Sequence, residues 1–157
     1  MPIIHLTTVI HAPMERVFDL SRSITLHKLS MVHTREEAVK GRLTGLIELN
    51  ETVTWRARHL GKTRELTSRI TAMRKPEYFC DEMIAGDFSY LRHEHHFKVI
   101  ENGTVAIDMM EFRTPYGRLG RLVERLYLYR YMSRLLQQRN GVIKKYAESE
   151  RWRVILD

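Results

Sequence analysis

From Thr34 to about Thr114, short runs of alternating apolar and polar residues are interrupted by Gly41, Gly45, Gly61, Pro76, Gly86, Gly103 and Pro115. Period-two alternation is the mark of half-buried strands, and glycine or proline between such runs marks turns. Six strands fit between the breaks: a weaker one near Arg35 to Arg42, then Glu51 to His59, Arg64 to Met73, Glu77 to Ala85, Ser89 to Ile100 and Thr104 to Arg113. Their connections are short, and Glu101-Asn102-Gly103 carries an Asn-Gly pair that tolerates positive φ. Consecutive strands joined by short turns must pair antiparallel, so this stretch is a meander.

Different signals flank the meander. Residues 3–10 (IIHLTTVI) are rich in β-branched types and stop at Ala12-Pro13, which predicts a first strand. Pro13 suits a first helical turn, and Val17, Phe18 and Leu20 give the helix that follows an apolar face; a second short helix is expected over Ile24 to Leu29. After Pro115-Tyr116-Gly117 the pattern turns helical from Arg118 to about Glu148, roughly 30 residues or about 45 Å of helix. On a regular helix Leu122, Leu126, Tyr129, Met132, Leu136, Ile143 and Ala147 form one apolar stripe that can cover a sheet. Leu128, Tyr131, Leu135, Val142 and Tyr146 form a second. That second face is either covered by the same chain or used for self-association, with Leu128, Tyr131, Leu135 and Val142 as the homodimer contact.

The chain has 157 residues, 43% of them hydrophobic and 29% charged, which suits one domain over residues 1–157 with a single core. Nothing resembles a secretory signal or an apolar run of the roughly 20 residues needed to span a bilayer, so no membrane span is expected. A lone cysteine, Cys80, cannot form an internal disulfide and is read as a half-buried structural thiol; cytoplasm is the expected compartment. The net charge of +7 is concentrated in the last third of the chain, where arginines are interleaved with leucines and tyrosines at helical spacing. The plain reading is the solvated side of an amphipathic helix; binding to an anionic membrane surface or a nucleic acid through it is the alternative, with no specific nucleic acid expected.

Strand parity separates faces. Val53, Trp55 and Ala57 share an inward side of their strand, and Leu91, His93, His95, Phe97 and Val99 share one side of theirs. Two histidines on an otherwise apolar face can act as general acid and base, orient a ligand, or hydrogen-bond neighbours without chemistry. They could also ligate a metal with His59 or Glu51, but nothing local completes a ligand set, so no metal and no cofactor is expected. Glu51, Glu82, Asp108 and Glu111 are each read as outward-facing sheet residues. No phosphate-binding glycine loop, nucleophile elbow or His-Glu-x-x-His is present.

The order strand, two short helices, six-strand meander, long helix is the helix-grip arrangement. The sequence resembles the START-like, or SRPBCC, superfamily, which includes polyketide cyclase/dehydrase-type and birch-pollen-allergen-like proteins, in particular a bacterial ligand-binding branch. The resemblance runs over essentially the whole chain. It is carried by His11-Ala12-Pro13 with Glu15 to Arg22, His27, Gly45-Leu46-Ile47, Glu51 to Trp55, Phe79, Asp81-Glu82-Met83, Arg92 to His95 with Phe97, and Arg130-Tyr131-Met132. It implies an α+β fold in which a curved antiparallel sheet of about seven strands (β-α-α-β6-α) wraps around the long C-terminal helix and encloses an apolar cavity. The expected function is binding or transport of a hydrophobic small molecule such as a lipid, polyketide or aromatic compound. Val53, Trp55, Phe79, Met83, His93, His95, Phe97, Leu126 and Tyr129 are the expected ligand-binding positions. An enzyme of the cyclase/dehydrase or hydrolase kind is the alternative, with His93, His95 and Glu51 as candidate catalytic groups.

Overall fold

The computed structural model describes residues 2–157. Over these residues the chain runs β1 (Ile3–Ile10), α1 (Met14–Ser21), α2 (Ile24–Ser30), a 3-10 turn (Val32–Thr34), β2 (Glu37–Gly41), β3 (Thr52–His59), β4 (Lys62–Arg74), β5 (Tyr78–Ala85), β6 (Tyr90–Ile100) and β7 (Gly103–Arg113). It ends in α3 (Gly117–Val123), a π-helical turn (Glu124–Leu128), α4 (Tyr129–Ala147) and α5 (Trp152–Leu156). The strands form one seven-stranded antiparallel sheet in the order β1-β7-β6-β5-β4-β3-β2. β2 to β7 are thus the expected meander, and β1 returns to pair with β7, Ile3 opposite Glu111 and Ile10 opposite Thr104.

Local chemistry explains the turns. β3 and β4 are joined by Leu60 and Gly61, both at positive φ, the conformation that matches a two-residue hairpin to the twist of its strands. Asn102 takes positive φ at the β6–β7 turn, and a Cβ on Gly103 would stand 2.5 Å from the Ile10 carbonyl oxygen, so that turn packs against the end of β1 only with glycine there. Register shifts in the pairing of β2 with β3 and of β4 with β5 mark bulges, which bend strands and help the sheet to curve. Ser23 caps α2 by accepting a hydrogen bond from the Leu26 amide at 3.1 Å.

The main core lies where α1, α2 and the C-terminal end of α4 meet the sheet: Phe18 packs edge-on against Phe79 and Phe97, and Ile143 and Ala147 close the layer. A second cluster joins Ile4, Leu91, Phe112 and Leu136.

The last helix departs from the regular 30-residue helix expected from the sequence. Its π turn holds one residue more per turn than α geometry allows, which shifts the phase of everything N-terminal to it by about 100°. The inward line therefore runs Ala147, Ile143, Leu136, Met132, Leu128, Glu124 in place of the extrapolated stripe. Leu122, Leu126 and Tyr129, expected to face the core, are exposed.

Candidate functional site

Between the sheet and α4 lies a cavity of about 440 Å³, within the roughly 300–1,000 Å³ of small-molecule sites. Its walls are largely apolar. Trp55 and Val53 come from β3, Ile70 from β4, Phe79 from β5, Leu91 from β6 and Met110 from β7, with Leu128, Met132, Leu135 and Leu136 across from them on the helix.

A charged cluster interrupts this wall, and strand register builds it. In β6, His93 and His95 alternate with polar outer residues and are both buried. Pairing sets Asp81 of β5 opposite His93, and Asp108 of β7 opposite His95, on the same face. The hydrogen bonds run along the diagonals instead: His95 Nε2 to Asp81 Oδ2 at 2.8 Å and His93 Nε2 to Asp108 Oδ1 at 2.8 Å. The imidazoles lie 3.7 Å apart between centroids, and Phe79 stacks on His95 at 4.0 Å. His95 Nδ1 also stands 3.3 Å from Asp108 Oδ1. Both ring nitrogens of His95 thus face carboxylates.

α4 completes the cluster. Asn140 Nδ2 donates to Asp108 Oδ2 at 2.6 Å and to Thr8 Oγ1 at 3.1 Å. Arg139 donates to the Ser21 carbonyl at 2.8 Å and to Asn140 Oδ1 at 3.0 Å, with Nη1 3.7 Å from Asp108. Buried charge is tolerated because each group has partners of opposite sign. Burial alone would raise the Asp108 carboxyl, but hydrogen bonds from His93 and His95 outweigh it and hold it well below the usual range. Asp81 is likewise held down, burial being outweighed by His95. Burial, then the neighbouring His95, push His93 below an ordinary imidazole.

A second polar group faces the same cavity. His27 pairs with Glu36 at 2.6 Å and lies tilted against Trp55, 4.3 Å between ring centroids, while His59 Nδ1 shares a 2.6 Å hydrogen bond with the Tyr131 hydroxyl. Burial would raise Glu36, but His27 outweighs it and lowers it; burial lowers His59.

Of the expected positions, Val53, Trp55, Phe79, His93 and His95 line the cavity. Phe97 is buried against Phe18 and Phe79, behind the wall, and Met83 packs beside the second core cluster. Leu126 points to solvent because of the π turn, and Tyr129, which follows the turn, is exposed as well. Glu51, a catalytic candidate by sequence, is away from the cavity, accepting from Arg42 at 2.9 Å and from the Glu48 amide at 2.7 Å. The second apolar face, read as either covered by the same chain or a homodimer contact, is used within the chain: Leu128, Tyr131 and Leu135 line the cavity, and Val142 packs on the core. Asp108, read as outward, is 3% exposed and inward, as its parity with Ala106, Met110 and Phe112 required. Asp81, Arg139 and Asn140 were missed as site residues. Cys80, on the strand face opposite Phe79 and Asp81, is buried, and burial pushes its thiol up, away from nucleophilic thiolate.

Among the described residues, Asp81, His93 and His95 have potential ligand atoms within 4.8 Å of one another. Two imidazoles and a carboxylate suit a divalent metal. Here both Nε2 atoms are already turned to carboxylates, so metal binding must exchange the His95–Asp81 bond for coordination.

The chain has the helix-grip fold of START-like, or SRPBCC, proteins. Solved structures that share it include TTHA0849 from Thermus thermophilus, 18% identical over 98% of each chain with a TM-score of 0.75. They also include Ara h 8.0201, 13% identical over 93% of this chain and 97% of that one at a TM-score of 0.68. The major latex-like protein 151 of Panax ginseng is 10% identical over 94% of this chain and 98% of that one, at 0.69. No model of a known protein family and no curated protein matches the chain.

Proposed function

We propose that this protein binds an apolar small molecule carrying one or more hydrogen-bonding groups. The observation that carries the reading is the 440 Å³ cavity, whose largely apolar wall is interrupted by polar groups that include the buried His–Asp cluster and the His27–Glu36 and His59–Tyr131 pairs. An apolar body gains from leaving water for such a wall, and fixed polar groups give it one orientation. Trp55 and Phe79 supply flat contact area, and the histidines orient the polar end. Native mass spectrometry of protein purified from its own source, followed by solvent extraction, tests this: a stoichiometric amphiphile supports it. Protein that is empty, and that takes up no lipid or aromatic compound from a panel, ends it.

The His93–Asp108 pair favours a second reading. Asp108 fixes His93 as the Nε2–H tautomer, which leaves the Nδ1 lone pair as a base, and burial favours the neutral ring that a base requires. In that case the protein removes a proton next to a carbonyl of its bound molecule, as a cyclase or dehydrase does. His93→Gln separates the two readings: a binding protein keeps affinity within about tenfold, whereas a proton-transfer enzyme loses 10²-fold or more in rate.

A further inference from the structure

Exposed large apolar residues are concentrated in one stretch of this molecule. Leu119 is 68% exposed, Leu122 52%, Leu126 57% and Tyr127 72%, with Tyr116 and Tyr129 exposed at the two ends. Leu119, Leu122 and Leu126 follow three- and four-residue spacing and so share a helix face. Arg118, Arg121, Arg125 and Arg130 are interleaved with them and exposed. Glu124 is the only carboxylate between Glu111 and Glu148, and it is 3% exposed, turned inward to accept a hydrogen bond from the Thr114 amide. The outer surface of α3 and the π turn is therefore apolar and purely cationic.

From this we infer that α3 and the π turn dock the protein onto an anionic lipid surface. An amphipathic helical segment whose polar groups are arginines gains twice there, from burying leucine and tyrosine at the acyl boundary and from attraction to the headgroups. A second copy of the chain fits less well, because a two-fold contact through this face would set arginines against arginines. The long guanidinium side chains reach the headgroups while the leucines sit deeper. Val123 and Leu128 of the same segment also line the cavity, so docking places one wall of the cavity against the bilayer. The surface stands independently of the cavity's occupant.

The test is cosedimentation of the full chain with phosphatidylglycerol–phosphatidylcholine vesicles and with pure phosphatidylcholine vesicles, at low and physiological salt. Binding is expected to the anionic vesicles, weakened by salt, and not to the neutral ones. Replacing Leu119, Leu122 and Leu126 together by Ser should reduce partitioning at least tenfold, and Arg121→Gln with Arg125→Gln should remove most of the low-salt binding. Lys145→Gln with Arg151→Gln, basic residues outside the segment, should change it less than twofold. Unchanged melting temperatures and the native ligand content of each variant keep loss of docking separate from misfolding and from failure of the cavity reading. Absence of binding to anionic vesicles at low salt overturns the inference. So does equal loss in the Lys145/Arg151 variant, or a dimer in light scattering that the leucine substitutions dissolve.

Discussion

The two halves of the last helix share leucine, tyrosine and arginine and behave oppositely. From Tyr129 to Ala147, leucine, isoleucine and alanine turn to the sheet, Arg139 and Asn140 are buried with them, and the lysines stay outside. From Gly117 to Tyr127, leucines and a tyrosine turn outward beside arginines, and the one long side chain that is buried is a glutamate. Composition therefore does not tell which way an amphipathic helix faces; phase does, and here the π turn resets the phase between the halves.

Breaking the inner half should have the largest effects. Asp108→Ala removes the acceptor of His93 and Asn140 and leaves Arg139 buried without its carboxylate, a loss of about 3–5 kcal/mol of stability in guanidinium denaturation. Leu136→Ala, which opens a space beside the cavity, should cost about 2–4 kcal/mol. Either variant unfolding at the denaturant concentration of the parent would mean that α4 does not clamp the sheet as described.

Acid sharpens the contrast, because the inner half closes on groups with shifted titration. His93 lies below the ordinary 6.5 when folded, so the unfolded chain takes up a proton that the folded chain refuses, and stability falls as pH drops below 6.5. Asp81 and Asp108 lie below the ordinary 3.8 when folded, so a further loss begins as pH drops through 3.8. Melting temperature should decline in these two stages between pH 7.5 and 3; a curve flat from 7.5 to 5 contradicts the first. The smallest change belongs to the outer half: Leu126→Ala alone should shift stability by no more than about 0.5 kcal/mol, since its side chain gains little from folding. A loss comparable to Leu136→Ala would show that the outward face is covered.

How much of this was legible in the sequence differs by element. The meander was readable because each strand alternates and each turn carries glycine, proline or Asn-Gly, signals that depend on a few adjacent residues. His93 and His95 were readable from parity, and Asp108 was readable by the same rule, since it falls on the line of Ala106, Met110 and Phe112. It was set aside on the general rarity of buried carboxylates, a rule that fails where partners of opposite charge arrive from other strands. Those partners were not legible: Asp81 reaches His95 only through β5–β6 register, and Arg139 and Asn140 only through the docking of α4. The misplacement of Leu126 has a single cause. Hydrophobic periodicity assumes a constant angle per residue, and the π turn violates it within an otherwise regular stretch.

That turn also has a genetic consequence. A helix carrying one surplus residue can lose one and become regular, so an in-frame deletion of a single codon between 124 and 128 should leave the core from Met132 onward in place. The segment before it would rotate by about 100°, carrying the leucines toward the sheet and the arginines with them. One codon thus separates two surfaces that the same fold could present, and length variation at this point is where descendants of this chain would change what they attach to without changing what they enclose.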